Sequence, residues 1–145
     1  MLIPYPKEND IQKSIGENML KYALKIKPEK SAKVYGSGLR VSTKNATIVC
    51  KAVNGMQLQK AKKFLEAVIV EEREINGRYY TKTTATVLDL IHSAEKNAEF
   101  KGLDTDKLFV HVAAQSGYRF YRPRRMKMRG QRRKVSNLQV VLEQR

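Results

Sequence analysis

The stretch YRFYRPRRMKMRGQRRK, residues 118–134, holds nine basic side chains in seventeen positions and no acid. Arg119, Arg122, Arg124, Arg125, Lys127, Arg129, Arg132, Arg133 and Lys134 carry the charge, and Tyr118, Phe120 and Tyr121 are interleaved with the first of them. A guanidinium is a planar fork that bridges phosphate oxygens and stacks on bases, and an aromatic ring adds a further stacking face. The chemistry such a run can do is polyanion binding. A lone run of this kind is ordinarily a solvated loop, but here the segments on both sides read as strands. If those strands pair, the run becomes a hairpin whose side chains project alternately to its two faces. Charge on both faces cannot be half-buried in the chain's own core, so the partner must surround the arm. The three aromatic residues fit either stacking on bases or packing of the hairpin base.

No other residues form a reactive constellation. His92 falls in mid-helix and His111 in a strand with alternating burial, and neither has carboxylates or Cys at metal-ligand spacing, so both are expected to be structural. Cys50 lies on an apolar helical face and is expected to be an inert buried thiol. Ser116-Gly117 is not part of a nucleophile elbow, and GSG at 36–38 lacks the strand, loop and Lys of a phosphate loop. Glu71, Glu72 and Glu74 are most simply a solvated connection. No enzyme activity, cofactor or metal is expected.

The elements that would position the arm follow from composition and periodicity. With 145 residues, 41% of them hydrophobic, the chain can bury one domain's core. Its net charge of +15 calls for a polyanionic partner, nucleic acid or an anionic membrane face. The excess is uneven: residues 107–142 hold ten Lys or Arg and no Asp or Glu, the asymmetry of a dedicated binding arm. A single cysteine cannot form an internal disulfide and fits a reducing compartment. No apolar run approaches a membrane span. The opening MLIPYPKENDIQK has early acids and two prolines and is not expected to be a secretory signal.

Residues 1–38 read as an N-terminal extension, partly irregular. Ile11, Ile15, Met19 and Tyr22 suggest a short amphipathic helix, while Pro28 and SAKVYGSG suggest extended or irregular chain. Residues 39–143 read as one globular domain, with the arm at about 107–143. LRVS at 39–42 is a brief strand, and Ser42 or Thr43 can cap the next helix. That helix buries Ala46, Val49, Cys50 and Val53 and stops at Gly55. The second buries Leu58, Ala61, Leu65 and Val68 and carries Lys60, Lys62 and Lys63 on its other face. A polar connection turns at Asn76-Gly77. The third helix runs from about Thr81 to Lys101, with a narrow stripe of Val87, Ile91, Ala94 and Ala98, and ends at Gly102. LFVHVAA (108–114) and NLQVVL (137–142) read as strands. The fold class is α+β: three helices packed on a small antiparallel three-stranded sheet, with a long basic β-hairpin arm and an N-terminal extension.

There is no zinc-finger spacing, basic zipper or aromatic RNP-type strand, so sequence-specific duplex readout lacks a vehicle. An arm that threads into irregular, folded RNA fits better. GSGLRVSTKNA, NGMQLQKAKKFLEAV, SAEKNAEFKGLDTDKLFVHVA and a basic hairpin closing in SNLQVVL together resemble the universal large-subunit ribosomal protein twenty-two family, protein seventeen of the eukaryotic large subunit. The most specific stretch is AEKNAEFKGLD, residues 94–104, similar to the helix end of archaeal and eukaryotic members. The resemblance covers about residues 22–143 and extends to the order of elements.

That resemblance implies a non-catalytic constituent of the large ribosomal subunit that binds ribosomal RNA. Its hairpin would run along the wall of the nascent-peptide exit tunnel and support translation and assembly. The implied partners are large-subunit RNA, neighbouring ribosomal proteins and the nascent peptide, with no membrane span and no homo-oligomer. The implied location is the cytoplasmic ribosome, with nuclear assembly in a eukaryote. Arg40 and Lys44 at the strand-to-helix junction, and Lys60, Lys62 and Lys63, would be secondary phosphate contacts. Two departures stand out: EEREINGRYY replaces a longer insertion usual in archaeal and eukaryotic relatives, and residues 1–21 match nothing in the family. The rival is a free module that binds RNA or DNA transiently. An anionic-membrane binder fits less well, because the charges are not on an amphipathic helix.

Overall fold

Apolar residues spaced three and four apart wind into three helices, each burying the face its spacing defines. In the structure, a computed structural model that describes residues 22–23, 30–123, 127 and 130–145, helix α1 spans Thr43–Val53, α2 Leu58–Ile69 and α3 Thr81–Phe100. α1 buries Ala46, Val49, Cys50 and Val53, and α2 buries Leu58, Ala61, Leu65 and Val68. α3 buries Thr83 and Thr84 beside the expected Val87, Ile91, Ala94 and Ala98. Each large aliphatic side chain sealed this way contributes about 1.5–3 kcal/mol, which outweighs the propensity cost of the β-branched residues in α3.

Strands β1 (Ser31–Leu39), β2 (Leu108–Ser116) and β5 (Ser136–Gln144) form one antiparallel sheet in the order β1-β5-β2. A two-stranded ribbon, β3 (Phe120–Tyr121) and β4 (Arg132–Arg133), continues the β2–β5 hairpin outward. Ala32, Leu138, Val140, Leu142, Leu108 and Val110 point from the sheet into the core shared with the helices. On the opposite face, Gln139 and Val141 are 4% and 3% exposed. There the Tyr22 ring meets Tyr35 edge-on at 6.5 Å, and the Ala23 N–H donates to Gln139 Oε1 at 2.8 Å. The rest of the expected N-terminal helix lies outside the described residues.

Both open edges of the sheet are blunted, which discourages pairing with another strand. On β1, Lys101 Nζ donates to the Ser31 carbonyl at 2.9 Å and Asn97 Nδ2 to that of Lys33 at 3.4 Å. On β2, the loop after α1 adds a short rung: Gly55 N–H to the Val110 carbonyl and Val110 N–H to the Met56 carbonyl, each 2.8 Å.

Two local expectations need correction. The first strand is not residues 39–42; it starts at Ser31, and 40–42 form the bend into α1. SAKVYGSG looks irregular because of its glycines, yet Gly36 is there for close packing. A Cβ on Gly36 would lie 2.8 Å from Leu39 Cδ1 and 3.1 Å from Leu90 Cδ1, so the small residue lets α3 settle on β1. Ser42 does occupy the capping position of α1, but its hydroxyl makes no capping bond. The Thr43 hydroxyl pairs with that of Ser136 at 2.8 Å, and the Ser136 hydroxyl donates to the Val41 carbonyl at 2.9 Å. The hydroxyls at this junction therefore tie the start of α1 to β5. The Asn76-Gly77 turn is as expected: φ values of +53° and +71° at its two central residues close a tight turn between Ile75 and Arg78.

Candidate nucleic-acid interface

The arm leaves the body where the β2–β5 ladder ends at Ser116 and Ser136. Gly117 N–H donates to the Val135 carbonyl at 3.0 Å, and the two chains cross there so closely that a Cβ on Gly117 would be 2.7 Å from Val135 Cγ1. Pairing then resumes as Phe120 opposite Arg133 and Tyr121 opposite Arg132, followed by Arg122 N–H to the Gln131 carbonyl at 3.0 Å. The hairpin expected from the flanking strands is thus continuous with the sheet. Arg124, Arg125 and Arg129 lie outside the described residues, while Lys127 is described and exposed.

Phe120 organises the root. Its ring carries the Arg40 guanidinium at 5.7 Å and that of Arg133 at 5.6 Å, and Tyr118 meets it edge-on at 6.4 Å and 85°. Tyr118 in turn lies against Gly38, where φ is +68° and a Cβ would come within 3.2 Å of the Tyr118 ring. Gly38 N–H donates to Asn137 Oδ1 at 3.0 Å. Tyr118 and Phe120 therefore pack the arm onto the end of β1. Tyr121 is half-exposed and has no ring or cation partner among the described residues.

Two open clefts meet at Arg132, Arg133 and Lys134. One, of about 320 Å³, runs to Ser42, Thr43 and Lys44 at the start of α1; the other, of about 560 Å³, runs to Arg40 and Arg122. Body cations and arm cations, some ninety positions apart in the chain, thus line one continuous basic surface. Among the described residues, none of Arg40, Lys44, Arg119, Arg122, Lys127, Arg132, Arg133 or Lys134 has an acidic group within salt-bridge distance. The Nε of Arg133 is shielded from solvent and has no acceptor. Uncompensated positive charge concentrated in concave clefts raises the local concentration of anions.

The remaining candidates sit elsewhere. Lys60 and Lys63 are exposed on α2, at the end of β2 away from the arm. Lys62 turns the other way and forms an ion pair with Glu95 of α3, both side chains 15% exposed. His111 bridges Asn54 Oδ1 and Glu143 Oε2 at 3.2 and 3.1 Å, a structural link between the α1 end and β5. Burial pushes the Cys50 thiol up to about 12, which keeps it protonated and unreactive at neutral pH. Among the described residues no cluster of His, Cys, Asp or Glu could hold a metal ion, and no helix is long and apolar enough to cross a membrane. Sequence reasoning weighed Gly38 and Gly117 only as parts of a phosphate loop and a nucleophile elbow and did not single out Asn137, yet all three pack at the root of the arm. The one available signal was a glycine placed directly where the strand gives way to the basic run.

Residues 34–143, from within β1 to the end of β5, match the family described as Ribosomal protein L22p/L17e. The chain belongs to the L22p/L17e family. Among its relatives, large ribosomal subunit protein uL22 of Methanocaldococcus jannaschii is 33% identical over 86% of this chain and 95% of its own length. The protein of the same name from Methanococcus vannielii is 31% identical over 86% of this chain and 97% of its own length, and that of Methanopyrus kandleri 38% identical over 61% and 69%. L22p/L17e is a family of ribosomal proteins and not of enzymes, in keeping with the absence of a reactive constellation in the sequence. The matched span takes in the sheet, all three helices and the arm.

Proposed function

We propose that this chain is a structural constituent of the large ribosomal subunit that binds ribosomal RNA through the root and length of its arm. The observation that carries the reading is the convergence of Arg40 and Lys44 with Arg132, Arg133 and Lys134 in two clefts where, among the described residues, none of these cations is paired with an acid. RNA backbone entering these clefts would be gripped from the body and the arm together, which fixes the direction in which the arm projects. Arg119, Arg122 and Lys127, with Arg124, Arg125 and Arg129 beyond, then neutralise phosphates along the hairpin. Arg supplies bidentate contacts that a solvated lysine cannot. Tyr121, half-exposed, offers a stacking face. Lys60 and Lys63 form a separate patch, and Lys62 is spent on Glu95. Family membership supports a place for the arm along the wall of the nascent-peptide exit tunnel, where part of it would face the growing chain.

Sedimentation of a native lysate through a salt-containing gradient tests this. The chain should travel with large-subunit RNA, and deleting residues 118–134 should release it. Because the β2–β5 ladder closes below the deletion, at Ser116 and Ser136, the body retains its sheet. Migration of the intact chain as a free small protein would overturn the assignment. Co-migration that survives the deletion would move the binding energy to the body and refute the role given to the arm.

A further inference from the structure

At the end of β2 away from the arm, a second open groove of about 850 Å³ lies between α2 and the first residues of β2. Its floor is apolar: Met56, Phe64, Ala67 and Phe109. Its rim is mainly cationic, with Lys60, Lys63 and Arg73 set against the single acid Glu72. This differs in kind from the clefts at the arm root, which Arg and Lys line with no apolar floor beyond Val135.

The composition of the groove decides what it can take. A stacked base needs a free ring face, and here a guanidinium already covers one face of each ring: Arg73 lies over Phe64 at 6.0 Å and Arg145 over Phe109 at 5.2 Å. Phe64 and Met56 also pack against the core. A base would compete with an arginine for a ring face, whereas an aliphatic side chain can settle on Met56 and Ala67 without disturbing either. The backbone beneath is already paired through Gly55, Met56 and Val110, so an added β-strand is not accommodated there either. An apolar floor with a cationic rim complements an amphipathic segment whose apolar residues are flanked by acids.

We propose that this groove is a docking site for an acidic segment of a second protein, which lays a large apolar side chain on Met56, Phe64 and Ala67 between Lys60, Lys63 and Arg73. The site is independent of the RNA-binding arm.

The test uses the full-length chain and two fluorescein-labelled helical peptides of equal charge. One has leucines every third or fourth position among glutamates; in the other, serines replace the leucines. At physiological salt the leucine peptide should bind about tenfold or more tighter, the least expected from burying one leucine side chain. Ala67→Trp fills the floor without changing charge and should bring the two affinities together. Lys63→Glu should weaken the leucine peptide several-fold more than Lys44→Glu, the same charge change at the other end of the molecule. That comparison holds even if the tryptophan variant fails to fold. Equal affinity for the two peptides, or equal effects of Lys63→Glu and Lys44→Glu, would reduce the binding to general charge attraction and overturn the proposal. So would a single-stranded RNA oligonucleotide that displaces the leucine peptide and itself loses affinity in Lys63→Glu but not in Lys44→Glu.

Discussion

Replacing Gly117 by Ala adds one methyl group where the two strands of the arm's root cross closely, and the structure points to a loss of stability. The new carbon would sit 2.7 Å from Val135 Cγ1, 3.0 Å from its carbonyl carbon and 3.1 Å from its carbonyl oxygen. Rotation of the valine side chain can relieve the first contact. The other two are backbone and cannot be relieved without moving Val135, which accepts the Gly117 N–H and is 4% exposed. Val135 is held by its neighbour Ser136, whose hydroxyl bridges Val41 and Thr43. Forcing a methyl group into so closed a site costs about 1–3 kcal/mol. An alanine also restricts the unfolded chain, which works the other way by about 0.4–1 kcal/mol. The net expectation is a loss centred on about 1 kcal/mol and reaching about 2.5 kcal/mol, or a fall in Tm of a few degrees and at most about 10 °C for a chain of this size. Thermal unfolding of the full chain followed by far-UV circular dichroism measures it, and amide exchange at Ser136 and Arg122 should quicken along with it. An unchanged or raised Tm would mean that the two chains are not locked at the root, and the account of how the arm is aimed would fail.

Three further outcomes are expected. If about six arm cations neutralise phosphates, log affinity for a structured ribosomal RNA fragment should fall against log salt with a slope of roughly −4, and a flat response would refute phosphate binding. The Cys50 thiol is held at about 12 by burial, whereas in the unfolded chain it ionises near its ordinary value, so the unfolded state carries fewer protons between the two. Stability should therefore decline as pH rises from about 9 towards 12, by up to about 1.4 kcal/mol per pH unit more than in Cys50→Ala; parallel curves for the two proteins would contradict the burial. A double-mutant cycle on Lys62 and Glu95 should give a coupling of about 0.5–1 kcal/mol, the upper part of the range for surface pairs because both partners are largely covered. A coupling near zero would return Lys62 to the set of available phosphate contacts.

What the sequence made legible was whatever depends on near neighbours in the chain. The buried faces of α1 and α2 were written in their three- and four-residue spacing, and the stops at Gly55 and Gly102 in their glycines, both at positive φ. β1 escaped because its small residues looked like loop, when their purpose is the approach of Leu90 from a helix fifty positions downstream. Lys62 was grouped with Lys60 and Lys63 by charge and helical face. Its partner Glu95 belongs to another helix, and nothing local separates a lysine committed to an ion pair from one left to solvent. The groove at the base of β2 was equally invisible, because Phe64 and Phe109 come to line one groove only once α2 is laid beside β2.

The charge itself is a different case. A count of residues showed that the arm is basic, and it could not show that the body reaches out to meet it. The aromatic residues decide this. Phe120 draws Arg40 from the end of β1 and Arg133 from the returning strand onto one ring, and so holds like charges together that would otherwise move apart. Each such contact returns only about 0.5–1 kcal/mol at a half-exposed site, too little to make the cluster a device for stability. Repulsion among Arg40, Arg132, Arg133 and Lys134 works against the folded state until an anion enters the clefts. A chain that uses aromatic contacts to bring these cations together gains from the arrangement when a polyanion arrives. Replacing Phe120 by Leu should therefore lower the Tm by only a few degrees while weakening RNA binding markedly, the reverse of the balance expected for a residue whose work is to hold the core.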